Sequence, residues 1–173
     1  SRLWRDGDAE PVWSTGAWSP AFNPYVGSVA KPLIALEYLA ALRADPSLAG
    51  PGSFPDCGGK ASPYDRARRL RCGEVHGADS RDTVHALAES CNVWFFSAAD
   101  RLGASRVRSC FAGFGWDRPR DDGAPALTGL PGSAWQSPRV RPAGFVSPMQ
   151  AIGYGVEVWP IFVARAYAGV ATG

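Results

Sequence analysis

"NPYVGSVAKPLIALEYL", residues 23–39, is the stretch from which the fold is read. Pro32 lacks an N–H and is tolerated only in the first turn of a helix, so a helix starts near Ser28 and runs to about Arg43. Its apolar residues (Val29, Leu33, Ile34, Leu36, Leu39, Ala40, Leu42) cover most of the circumference, which predicts a buried helix. Inside that run stands Lys31, one of only two lysines among eighteen basic residues. Residues three apart on a helix share a face, so Ser28 and Lys31 point the same way. The N-terminal dipole favours an alkoxide or oxyanion at Ser28, and burial disfavours the ammonium of Lys31. A neutral Lys takes a proton from serine, whereas a guanidinium stays charged. The plainer alternative is a Ser28 cap and a Lys31 that snorkels to solvent.

A second element lies downstream in "ALAESCNVWFF", residues 86–96. Ser90 and Asn92 fall in the break between a short helix, "DTVHALAE", and a longer one, "NVWFFSAADRLG", with Asn92 as its candidate N-cap and Gly103 as its stop. A second serine there relays a proton to a leaving group, and a carboxamide holds a substrate's amide carbonyl. Beyond it, Val107, Cys110, Phe111 and Phe114 form the apolar stripe of a further helix. Pro160 opens the last helix, "PIFVARAYAGVA".

The chain has 173 residues, 46% hydrophobic, enough for a packed core in one domain or a large piece of one. A net charge of +2 argues against a nucleic-acid partner. It begins at Ser1 without Met and stops at Gly173 just past a helical pattern, so it is expected to be cut from a longer protein. The organisation expected within 1–173 is an irregular lead-in (1–26), catalytic helices (27–115), a long Pro/Gly-rich loop (116–148) and a terminal helix (149–173).

With both elements in place, the chain resembles the penicillin-binding proteins, serine D,D-transpeptidases that share a fold with class A and C β-lactamases. "YVGSVAK" is similar to the family's S-x-x-K element and "SCN" to its S-x-N element. "HGADSRDTVHALAESCNVWFFSAADRLG" and "SPMQAIGYGVEVWPIFVARAYAGVATG" look like the flanking segments, so the resemblance covers most of residues 22–173. It implies that Ser28 is the nucleophile, Lys31 its base, Ser90 a proton relay and Asn92 a substrate-positioning residue. It implies a mainly α chain: the helical subdomain and active-site helix of an α/β transpeptidase fold, with much of the central sheet missing. The implied substrate is the D-Ala-D-Ala stem peptide of peptidoglycan, with β-lactams as inhibitors and other cell-wall synthesis proteins as partners of a membrane-anchored parent. The implied location is the periplasmic, extracytoplasmic face of a bacterial inner membrane. The chain departs from the family at Val26, where Pro is usual, and at Tyr154, where Gln is usual. It also has no K-T-G element, which in the family comes later. An inactive or sensor-type domain and a serine β-lactamase, with Glu157 as its water-activating acid, are the alternatives.

Cys57, Cys72, His76 and Cys91 form a C-x14-C-x3-H-x14-C pattern, three thiolates and an imidazole suited to a closed tetrahedral zinc site. Some elongation-type class B penicillin-binding proteins resemble this, with a structural zinc between the two motifs. The competing reading is a Cys57–Cys72 disulfide with Cys91 buried and free. Cys110 reads as a core thiol.

Overall fold

A computed structural model describes residues 2–3, 13–14, 25–49, 54–59, 71–116, 139–140, 147–158 and 160–173. Two strands, β1 (Arg2–Leu3) and β2 (Trp13–Ser14), pair antiparallel in the lead-in. A 3-10 turn, Gly27–Ala30, then runs into α1 (Lys31–Ala44). α2 (Thr83–Ala88) and α3 (Asn92–Gly113) follow. Strand β3 (Arg139–Val140) pairs antiparallel with β4 (Val156–Glu157), and between them lies α4 (Ser147–Ala151); α5 (Pro160–Thr172) closes the chain. The chain is therefore mainly α among the described residues, with two separate two-stranded pairs.

The core sits where α1 and α4 pack on α3. Ala30, Leu33, Ile34, Val93, Phe95, Phe96, Ala99, Val107 and Phe111 are all buried there. Burying each large apolar side chain is worth roughly 1.5–3 kcal/mol, which outweighs the modest propensities of the helices themselves. Trp94 stacks on Phe54 at 4.8 Å and meets Tyr38 and Phe95 edge-on at 5.6 and 4.8 Å. Both buried indoles are satisfied: Trp94 Nε1 donates to the Arg81 carbonyl and Trp116 Nε1 to that of Phe162.

Three helix ends close by the same device. In a Schellman motif the residue after the cap is left-handed, and two N–H groups reach back to carbonyls of the last turn. At the end of α3, Gly115 (φ 78) sends its N–H to Ala112 O and Trp116 to Phe111 O. At the end of α4, Gly153 (φ 78) reaches Gln150 O and Tyr154 reaches Met149 O. At the end of α2 the left-handed residue is Ser90 (φ 51), which reaches Leu87 O, while Cys91 reaches Ala86 O. Ser90 is the one non-glycine with positive φ among the described residues.

Several sequence expectations change. The expected helix is not buried all round: Leu36 and Leu39 of α1 are exposed, as is Val29 in the 3-10 turn before it. Apolar periodicity reports side-chain type, not what covers it. Asn92 is not the N-cap of α3; Cys91 holds that position, and the Asn92 side chain is turned elsewhere. Gly103 (φ 76, ψ 158), by contrast, stands where a stop was expected: it is non-helical and divides α3 into two helices, the second running to Gly113. Residues 149–173 are not one terminal helix. They hold the end of α4, a glycine turn, β4 and only then α5, because Gly153 and Gly155 both take positive φ. Within the expected loop 116–148, Arg139–Val140 is a strand and the last two residues open α4; residues 117–138 and 141–146 lie outside the described residues.

Candidate active site

Ser28 lies in the 3-10 turn and is exposed, while Lys31 opens α1 and is only 2% exposed. Pro32 fixes this boundary, since the first turn is the only place its missing N–H goes unmissed. The Lys31 ammonium donates three hydrogen bonds: to Ser90 O at 2.5 Å, to Ser90 Oγ at 2.8 Å and to Asn92 Oδ1 at 2.7 Å. It also stands 5.4 Å from the Phe95 ring centroid. Burial pulls its pKa down to about 8, although Cys72 and Cys91 push the other way. A Lys in that range exchanges protons near neutral pH, so the snorkelling alternative is excluded by position and by environment.

Ser90 Oγ lies 3.3 Å from Ser28 Oγ. The Lys31 backbone N–H donates to the Ser28 carbonyl, but among the described residues no hydrogen bond joins the Lys31 ammonium to Ser28 Oγ. The connection from Ser28 to the buried amine therefore runs through Ser90, a residue 62 positions downstream. Its left-handed backbone makes this possible. The α2 cap turns the Ser90 carbonyl and hydroxyl together onto one ammonium, at a conformational cost of about 1 kcal/mol for a residue with a Cβ. The carboxamide of Asn92 is held from both ends, with Oδ1 on Lys31 and Nδ2 donating to the Arg71 carbonyl at 2.8 Å. Among the described residues its second N–H has no partner, which leaves it to meet a ligand.

The four residues of the Cys/His pattern converge behind this site. One potential ligand atom from each of Cys57, Cys72, His76 and Cys91 lies within 4.8 Å of all the others, and all four cysteines of the chain are free. No disulfide links Cys57 to Cys72. Tetrahedral Zn–S bonds of ~2.3 Å would put ligand atoms ~3.8 Å apart, so the cluster needs only a slight contraction to hold such an ion. Mutual Cys57–Gly77 backbone hydrogen bonds and a Cys72 N–H to the Gly59 carbonyl set its frame. Burial pushes the Cys91 thiol up to about 12. Burial also acts to raise Cys72, but backbone N–H bonds, including that of Asn92, hold it below its ordinary value. Three sulfurs and an imidazole nitrogen gathered in one cluster are a donor set that suits a divalent cation such as zinc. It is also wired to the second motif: the Asn92 N–H donates to Cys72 Sγ at 3.3 Å, and Cys91 separates Ser90 from Asn92.

An exposed serine, a buried low-pKa lysine, and a Ser-x-Asn turn brought to them from a distant helix end are now in view. Residues 12–173 match the family model of the penicillin binding protein transpeptidase domain. The chain belongs to this family. A search of curated proteins finds no match. Being mostly helical with almost no strands among the described residues, this transpeptidase domain is the helical part of the family's α/β fold.

All eight site residues singled out in the sequence thus fall into two adjoining groups of the transpeptidase domain. Glu157, weighed as a water-activating acid, lies in β4 opposite Arg139. Cys110 is a core thiol, pushed up to about 12 by burial, with Sγ against the Leu33 carbonyl at 3.5 Å. Sequence reasoning missed three contributors. The Arg71 carbonyl is a backbone group that no motif reveals. The Cys72–Asn92 contact crosses 20 residues. The left-handed Ser90 was concealed because such caps usually announce themselves with Gly.

Proposed function

We propose that the domain is a serine D,D-transpeptidase of the class B, elongation type, acting on the D-Ala-D-Ala stem peptides of peptidoglycan. The observation that carries this is the buried Lys31 amine held on Ser90, itself beside the Ser28 hydroxyl. Ser28 Oγ attacks the carbonyl carbon of the penultimate D-Ala. Its proton passes through Ser90 Oγ to Lys31, which must be neutral to receive it. The new Oγ–C bond forms, the C–N bond breaks, and the proton is returned through Ser90 to the departing D-Ala amine. Backbone N–H groups at the helix start, Ser28's included, stabilise the oxyanion. Asn92 aligns the peptide amide through its remaining N–H. The amine of a second stem peptide then attacks the ester and releases Ser28. β-Lactams acylate the same hydroxyl. Such chemistry places the domain on the extracytoplasmic face of a bacterial inner membrane, among the cell-wall synthesis machinery that determines cell shape.

Cys57, Cys72, His76 and Cys91 are the residues that would hold one structural zinc. The cation would supply cross-linking without chemistry, since four protein ligands leave no position for water. The elongation-type assignment rests on this donor set between the two motifs.

Penicillin added to the full-length protein should raise its intact mass by one drug, with the adduct on Ser28, and Ser28→Ala should abolish it. Labelling that survives Ser28→Ala would end the assignment. Absence of labelling in the native protein would favour the inactive alternative, and rapid release of hydrolysed drug the β-lactamase.

A further inference from the structure

Five contacts from residues 153–167 converge on the residues flanking Ser28. The Val26 N–H donates to Val156 O at 2.9 Å, and Tyr25 forms a β-bridge with Glu157. The Tyr25 and Tyr154 rings stack at 5.5 Å with planes 12° apart. Tyr167 O–H donates to the Val29 carbonyl at 2.7 Å. The closest approach is backbone on backbone. A Cβ on Gly153 would fall 2.1 Å from Gly27 O and 2.5 Å from Gly27 N. Gly27 is the residue before Ser28 and is itself left-handed at φ 60.

We propose that Gly153 is a positioning residue for the nucleophile: its turn clamps the Gly27–Ala30 turn and sets Ser28 Oγ against Ser90. The inference rests on Ser28 being that nucleophile. The Ser28–Ser90 separation of 3.3 Å is already longer than the ~2.5–3.0 Å of an ordinary O–H···O bond, so further opening would part the two hydroxyls. A methyl on Gly153 must widen the approach to Gly27 by roughly 1 Å before it ceases to overlap. No flexible side chain lies between to absorb that shift, because the atoms met are all main chain. Tyr167 pins the other side of the turn, so displacement at Gly27 moves Ser28 rather than being taken up beyond it. A misplacement of this size costs about 100-fold in a positioned reaction.

The test separates the pre-covalent affinity for a fluorescent penicillin from the acylation rate constant in the full-length protein. Gly153→Ala should slow acylation about 100-fold while affinity stays within about twofold. Gly115→Ala is the control for backbone strain. It has the same φ of 78, and its Cβ meets only Arg165 Nη1 at an ordinary 3.9 Å. It should lower the melting temperature and leave acylation at the native rate. If Gly153→Ala does not fold, Tyr167→Phe decides, because it deletes only the hydroxyl on Val29; it should slow acylation about three- to tenfold with affinity retained. A native rate in Gly153→Ala, or in Tyr167→Phe when that variant decides, overturns the proposal. So does a loss confined to affinity, which would make the turn a substrate wall. If the native protein takes no label at Ser28, the transpeptidase reading falls and this inference with it. If it is labelled and the variants match it, only the clamp falls.

Discussion

The ends of α2 and α3 are built on one backbone plan and differ in a single choice. Both close in a Schellman motif, with paired N–H groups returned to the last turn. Gly115 occupies the left-handed position of α3, where a side chain would bring only strain. Ser90 occupies it in α2, and its hydroxyl and carbonyl both meet the Lys31 ammonium. The cations nearby differ as well. Arg165, a fixed charge, lies near Gly115, and Lys31, which can lose its proton, lies on Ser90, where the proposed mechanism needs a proton to come and go. On the proposed mechanism, strain in the left-handed region is thus retained at the end that carries the relay and avoided at the end that only stops a helix.

The sharpest way to break the comparison is to exchange the cations. Lys31→Arg should slow acylation of Ser28 about 1000-fold or more, close to Lys31→Ala, because a guanidinium cannot accept the proton. Arg165→Lys should leave the rate unchanged. Comparable losses in the two exchanges would mean that Lys31 supplies charge alone.

Next in size is the pair Ser90→Gly and Ser90→Ala. Both remove the relay hydroxyl, so both should slow acylation about 10- to 100-fold. Chemical denaturation should find Ser90→Gly more stable than Ser90→Ala by about 1 kcal/mol, since only glycine is unstrained at that φ. Gly115→Ala should cost the same amount with no change in acylation. Equal stability of the two Ser90 variants would show that the α2 cap carries no strain.

Chelation gives a smaller effect. Withdrawing a metal from Cys57, Cys72, His76 and Cys91 should slow acylation about tenfold, comparable to losing an outer contact of a metal-ordered site. The route is the Asn92 N–H on Cys72 Sγ and the place of Cys91 inside the Ser90 turn. Metal analysis should return one zinc per chain before treatment, and a metal-free protein as isolated would remove this part of the account.

The sequence shows best what is local. Pro32 located the start of α1, and Pro160 that of α5, because a missing N–H has few allowed places. The Ser28/Lys31 and Ser90/Asn92 pairs were legible as spacings of two and three within one turn or one break. What escaped depends on distant segments. Neither Leu36 nor Leu39 declares in its identity that it faces outward. Asn92 was expected to cap a helix and hold substrate. The cap is not made: its carboxamide spans Lys31 and Arg71, since a buried ammonium outcompetes a helix N–H for the same oxygen, and the substrate role stays part of the proposal. The convergence of four candidate metal ligands from three turns was suggested by spacing, but its contact with Asn92 was not. Gly153 gave no signal of touching Gly27, 126 positions away by subtraction of their numbers, because a close backbone approach leaves only an absent side chain as its trace.

The pH dependence of Ser28 acylation tests the central claim most directly. Burial lowers Lys31 to about 8, and the relay needs its neutral form. The acylation rate constant should therefore rise with pH, pass its midpoint near 8 and level off above it, while Lys31→Arg stays slow throughout. A native rate that is flat between about pH 6 and about pH 10, or that falls as pH rises through the midpoint, would contradict Lys31 as the base.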